Sequence, residues 1–197
     1  YYYNLALVLL HTGLRIGECL ALTIQDIDFE QRVLHIDKQV VLIYGKKHIS
    51  TTKTSAGIRI VPMDDVVFEV LQQTIQDHPP TKYTLDGVTN FVFHFRGRLL
   101  APENVRYHFH TCVDRYNATR TEDMIQLPHI TPHILRHTFC SKLAQSGINP
   151  KALQYIMGHA SVEVTMGTYT HISPTWALQE FAQINTPLLT PKLQKSM

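Results

Sequence analysis

The chain has 197 residues, 44% hydrophobic and 17% charged, a balance that suits one globular domain with its own core. A formal net charge of +2 with 12 histidines is too weakly basic to imply a nucleic-acid partner on its own, although clustered lysines and arginines would still make a basic face. No apolar run approaches the ~20 residues of a membrane span and no signal peptide is visible, and Cys19, Cys112 and Cys140, without CxxC spacing, read as buried thiols in a reducing compartment.

Residues 2–11 (YYNLALVLLH) read as the end of a helix, broken by Thr12-Gly13, and a second helix runs from about Leu14 to Leu22. After a turn at Asp26 to Glu30, the runs VLHI, QVVLIY, KKHISTT and GIRIVPM are β-rich, with turns at Gly45-Lys46-Lys47 and Ser55-Ala56-Gly57. Three antiparallel strands are the economical assembly. Asp64 or Asp65 caps a helix reaching about Asp77, and residues 78–90 form a surface loop. FVFHF is a short strand, and Pro102 starts a helix through about Tyr116. Four further helices are predicted at about 132–145, 150–157, 161–168 and 174–184, punctuated by Gly147, Pro150 and Gly158. The predicted class is α+β, mainly α-helical, with a small three-stranded antiparallel sheet near the front. The opening Tyr-Tyr-Tyr lies inside an apolar helical pattern, so the chain reads as a fragment preceded by other domains.

Polar groups of one chemical kind are scattered along this framework. Arg15, in TGLRIGE, falls in an apolar stripe with Cys19 and Leu22, where a guanidinium is costly unless an anion meets it. Glu18 and an incoming phosphate are both candidates. His133 and Arg136 stand three residues apart and share a helix face, with Arg136 at the edge of the stripe made by Leu135, Phe139 and Leu143. Thr131 or Pro132 suits the start of that helix, where free N–H groups favour an anion. His137 beside them reads as structural. His159 follows Gly158 at a helix junction, and Tyr169 comes ten residues later, near the end of a short helix. Lys53 sits at a hairpin turn, in competition with Lys46 and Lys47. No HExxH, CxxC or HxH spacing and no GxxxxGK[ST] loop is present, so neither a metal hydrolase nor a nucleotide hydrolase is indicated.

Taken in order, TGLRIGE (12–18), TTKTSAGIRIVPM (51–63), ITPHILRHTF (130–139), IMGHASVEVT (156–165) and TYTH (168–171) resemble the tyrosine recombinase, or phage integrase, family. LPHITPHILRHTFCSKLAQSGINPKALQYIMGHA is similar to the integrases of conjugative transposons. The resemblance covers essentially the whole chain and implies the fold of the DNA breaking-rejoining catalytic domain. It assigns assisting roles to Arg15, Lys53, His133, Arg136 and His159 and the nucleophile's role to Tyr169. It divides the chain into a core of about 1–173 and a C-terminal helix and tail, 174–197, for subunit exchange, with core-binding and arm-binding domains absent in front. It implies site-specific recombination of a mobile element through a 3′-phosphotyrosine, with no cofactor or metal. The implied partners are double-stranded DNA and an accessory excision factor. The expected state is a homotetramer on DNA and a monomer for the domain alone, in the bacterial cytoplasm with no membrane association. A type IB topoisomerase and a non-catalytic DNA-binding module are the competing readings.

Overall fold

The computed structural model describes residues 2–51 and 57–169. Helix α1 (Tyr2–Thr12) buries Leu5, Val8, Leu9 and Thr12, a helical repeat that turns one face to the core. Gly13 follows at φ +63°, where only glycine is at ease. Its missing side chain is also required, because a methyl group there would stand 2.5 Å from Phe139 Cδ1. Helix α2 (Ile16–Ala21) begins after Arg15, which is its N-cap in an extended conformation. The predicted helix from Leu14 therefore starts two residues later, and Arg15 stands at a helix mouth instead of inside an apolar stripe.

The β-rich region splits into separate pieces. Strands β1 (Ile27–Asp28), β2 (Val33–Ile36) and β5 (Arg59–Pro62) form a three-stranded antiparallel sheet in the order β1-β2-β5. Strands β3 (Lys38–Ile43) and β4 (Lys46–Thr51) form their own hairpin instead of joining it. Its turn residues Tyr44 and Gly45 both have positive φ, as a tight two-residue hairpin turn demands. The hairpin lies against α2, where Gly17 permits the approach: a side chain there would meet the Val40 carbonyl at 2.6 Å. The run FVFHF is less regular than predicted. Phe91, Val92 and Phe93 are fully buried, Phe91 bridges both Thr23 and Thr81, and only β6 (His94–Phe95) pairs with β7 (Arg98–Leu99).

The remaining helices are α3 (Asp65–Asp77), α4 (Pro102–Thr119), α5 (Pro132–Gln145), α6 (Pro150–Met157) and α7 (Val162–Met166), the last running into a 3₁₀ turn at Gly167–Tyr169. Asp64, not Asp65, caps α3 by accepting from Val67 N at 2.9 Å. Thr131 and Asn149 cap α5 and α6 in the same way, each with proline at the first helical position. The predicted helix at 174–184 lies outside the described residues.

Two apolar clusters result. The larger joins α1, α2, the sheet, α3 and the Phe91–Phe93 segment. The smaller holds Cys140, Ala144, Leu153, Met157 and Tyr169. Among the described residues no helix is long and apolar enough to cross a membrane.

Candidate active site

A cleft of about 750 Å³ is lined by residues of both clusters, Val40 of the hairpin from the larger and Cys140 and Met157 from the smaller. Its floor is organised by the C-terminal end of α6. A helix leaves its last carbonyls without backbone partners, and they carry the negative end of its dipole. Here Gly158 closes α6 at φ +61°, and the N–H groups of Gly158 and His159 bond back to the Tyr155 and Gln154 carbonyls. The next three carbonyls each accept a guanidinium. Arg59 Nε reaches Ile156 O at 2.7 Å, Arg136 Nη2 donates to Met157 O, and Arg15 Nη2 reaches Gly158 O at 2.9 Å. Arginines up to 121 residues apart in the chain thus meet on one turn of backbone, and Arg136 also donates to the Gly13 carbonyl.

Glu18 is the counter-charge. It is 1% exposed and accepts from Arg15 Nη1 at 2.8 Å, from Arg59 Nη2 at 2.8 Å and from Arg59 Nη1 at 3.1 Å. Its Oε2, which takes Arg59 Nη2, also accepts the Arg15 backbone N–H, the back half of a capping box. Burial pushes the Glu18 carboxyl up, but the Arg59 hydrogen bonds and charge, with Arg15 added, outweigh it and hold it below the usual carboxylate range. Arg15 and Arg59 pair with the one carboxylate while Arg136 bonds only to carbonyls, so the cluster carries positive charge in excess, which suits a bound anion. Burial pushes Arg136 down to about 10, with Arg15 the next cause, so it remains charged at neutral pH. Sequence reasoning passed over Arg59. Its signal was the strand alternation Arg59, Val61, Met63, which places it on the buried face.

Two histidines of α5 line the same cleft. His133 and His137 are four residues apart, their rings are edge to face with centroids 4.3 Å apart, and their Nε2 atoms lie 2.8 Å from each other. One ring must donate and the other accept. His137 is therefore a hydrogen-bond partner of His133 in the cleft. Burial, then His137 and Arg136, lower the His133 pKa. His159 also lines the cleft, with Nδ1 2.9 Å from the Thr165 hydroxyl. Burial, reinforced by Arg136 and Arg15, pushes its pKa down to about 4, so the ring is neutral at pH 7.

The structure thus gathers Arg15, His133, Arg136 and His159 around one cleft. Arg136 is 6% exposed, deeper than the stripe-edge position expected for it. Lys53 lies outside the described residues. Gly57, just beyond it in the chain, gives its carbonyl to Arg59 Nη1 at 3.2 Å. Tyr169 does not line the cleft, although Thr168 does. Its ring packs in the smaller cluster at 8% exposure and its hydroxyl donates to Ile148 O at 2.7 Å. Burial, with Cys140 as the lesser cause, keeps the phenol above its ordinary pKa. Among the described residues no three His, Cys, Asp or Glu side chains are grouped to hold a metal.

Comparison with known proteins gives a consistent picture. The profile of the phage integrase family matches residues 1–175. The chain is 38% identical over 189 residues to the transposase from transposon Tn916 of Enterococcus faecalis, covering 93% of this chain and 45% of that protein. It is 31% identical over 162 residues to the tyrosine recombinase XerC of Chlamydia trachomatis serovar L2, covering 82% of this chain and 44% of XerC. The chain therefore spans about half the length of the curated relatives it matches. Among solved structures, the Tn1549 transposon integrase in complex with transposon right end DNA superposes with a TM-score of 0.83 at 36% identity, covering 94% of this chain and 59% of that one.

Proposed function

The chain belongs to the phage integrase family, the tyrosine recombinases, and from that premise we propose that it is the catalytic domain of a site-specific recombinase that integrates and excises a mobile element. Its partner in this reading is double-stranded DNA, in keeping with the DNA bound to the Tn1549 integrase. The observation that carries the reading is the convergence of Arg15 and Arg136 on neighbouring carbonyls at the end of α6, with His133 and His159 in the same cleft.

A phosphate between the two guanidiniums meets forked donors that grow more favourable as negative charge builds on its nonbridging oxygens. Neutral His159 donates one more hydrogen bond without adding a charge. The phenolic oxygen of Tyr169 attacks phosphorus, and the bond to the 5′-oxygen breaks. The phenol's proton passes to His133, whose contact with His137 offers it an onward acceptor. Lys53 gives a proton to the departing oxygen, leaving a 5′-hydroxyl and a 3′-phosphotyrosine. A phenol titrating near 10 needs such help at neutral pH. Attack by a different 5′-hydroxyl reverses the step and exchanges strands. Tyr169 must first leave the Ile148 carbonyl. In this reading residues 174–197, which lie outside the described residues, dock on a neighbouring subunit of a DNA-bound tetramer, and an accessory factor biases excision.

The test is covalent capture on a nicked suicide substrate with the full-length protein. The wild type is expected to give a protein–DNA adduct that Tyr169→Phe abolishes while still binding DNA. An adduct that persists in Tyr169→Phe rejects this nucleophile.

A further inference from the structure

We propose that Thr165 is a positioning residue for strand cleavage: its hydroxyl donates to His159 Nδ1 and thereby fixes the ring's single proton on Nε2, the nitrogen left for a phosphate oxygen. The inference rests on the recombinase reading for its consequence and on local geometry for its content. Thr165, on α7, is fully buried. A buried hydroxyl hydrogen needs an acceptor, and His159 Nδ1, 2.9 Å away, is the partner that Thr165's side chain has among the described residues. If Nδ1 instead carried the proton and donated to Thr165, the hydroxyl's own hydrogen would be buried without an acceptor among the described residues. The economical arrangement is therefore O–H to Nδ1 and N–H at Nε2.

The rest of His159 is fixed as well. Its backbone N–H donates to the Gln154 carbonyl at 3.1 Å and its own carbonyl accepts from Gln154 Nε2 at 3.3 Å. With the backbone tied to α6 and the ring tied to α7, one tautomer and one ring direction remain. Because the surroundings keep His159 neutral, it has one N–H to offer. The wrong tautomer would turn a lone pair toward the phosphate oxygens. The neighbouring guanidiniums lack this ambiguity, since every nitrogen of an arginine is a donor.

Histidine-selective ¹⁵N NMR reads the tautomer without any reaction. The wild type and Thr165→Ser are expected to show a protonated Nε2 and a bare Nδ1 at His159, and Thr165→Val a mixture of tautomers. On the suicide substrate, Thr165→Val is expected to cleave at least about tenfold more slowly at unchanged DNA affinity, with Thr165→Ser near the wild type. A wild-type His159 protonated at Nδ1 overturns the proposal, as does a Thr165→Val variant that keeps a pure Nε2 tautomer and the wild-type cleavage rate. If the wild type has the expected tautomer but forms no adduct on DNA, the recombinase reading fails and the assignment of the hydrogen bond stands.

Discussion

Arg15 and Arg59 grip the same carboxylate from different depths: the Arg15 side chain is 42% exposed, that of Arg59 is 0% exposed. The difference separates chemistry from folding. Removing Arg59 leaves Glu18 buried with half its counter-charge and strips the donors from Ile156 O and Gly57 O. Breaking one side of such a buried pair costs about 3–5 kcal/mol. Arg15 loses little when it is cut back, because a half-exposed ion pair contributes under about 1 kcal/mol. In the proposed recombinase its absence instead removes a donor from the phosphate, worth roughly two orders of magnitude or more in rate. Urea denaturation of Arg59→Ala and Arg15→Ala, beside adduct formation by each, checks the division. Equal stability losses in the two variants would contradict it.

At the scale of elements, the site depends on a short helix ending in the right place. Helix α6 has eight residues, yet its terminal carbonyls anchor arginines from α5, β5 and the mouth of α2. The α1–α2 junction supplies the opposing surface through Gly13, whose carbonyl takes Arg136 and whose bare Cα lets Phe139 pack closely. Alanine there meets a positive φ, costing ~1–2 kcal/mol, and a clash with the Phe139 ring, costing ~1–3 more. Gly13→Ala is therefore expected to destabilise the fold by roughly 2–5 kcal/mol and to slow cleavage by moving Arg136. Thermal melts beside single-turnover cleavage measure both; a neutral melt would show that α1 and α5 do not pack as described. Gly45→Ala, where an added methyl group meets nothing within 4 Å, faces only the φ penalty.

For the molecule as a whole, the two cores matter because residues of both line the cleft and Tyr169 belongs to the smaller one. The cleft's positive charge also gives the fold a pH dependence. His159 titrates near 4 when folded against an ordinary value near 6.5 in the unfolded chain. Between those values the unfolded chain binds the proton more readily. Stability is therefore full above about pH 6.5 and falls as the pH drops toward about 4. His133, also lowered, contributes with the same sign. The His159 contribution stays below the ~3 kcal/mol of a fully buried group, since solvent reaches the ring. Melting temperatures from pH 7.5 to 4.5 are expected to fall more steeply in the wild type than in His159→Asn; parallel curves would mean the ring is not held neutral by its surroundings.

Local signals in the chain determined much of this. Periodicity, proline and cap residues placed α1 and α3 to α6 within a few residues, because each depends on neighbours within a turn or two. The ordered motifs that resemble the tyrosine recombinases marked Arg15, His133, Arg136 and His159, and strand alternation held a signal for Arg59. Only the tertiary structure decided which strands share a sheet, why the β3–β4 hairpin leaves the others to lie on α2, and that three distant arginines end on successive carbonyls of one helix. It also decided that the Tyr169 hydroxyl rests on Ile148. Those outcomes turn on close approaches between remote segments, such as Gly17 against Val40 and Gly13 against Phe139, and on carbonyls that become acceptors only once a helix has ended. Neither leaves a periodic trace in the order of the residues.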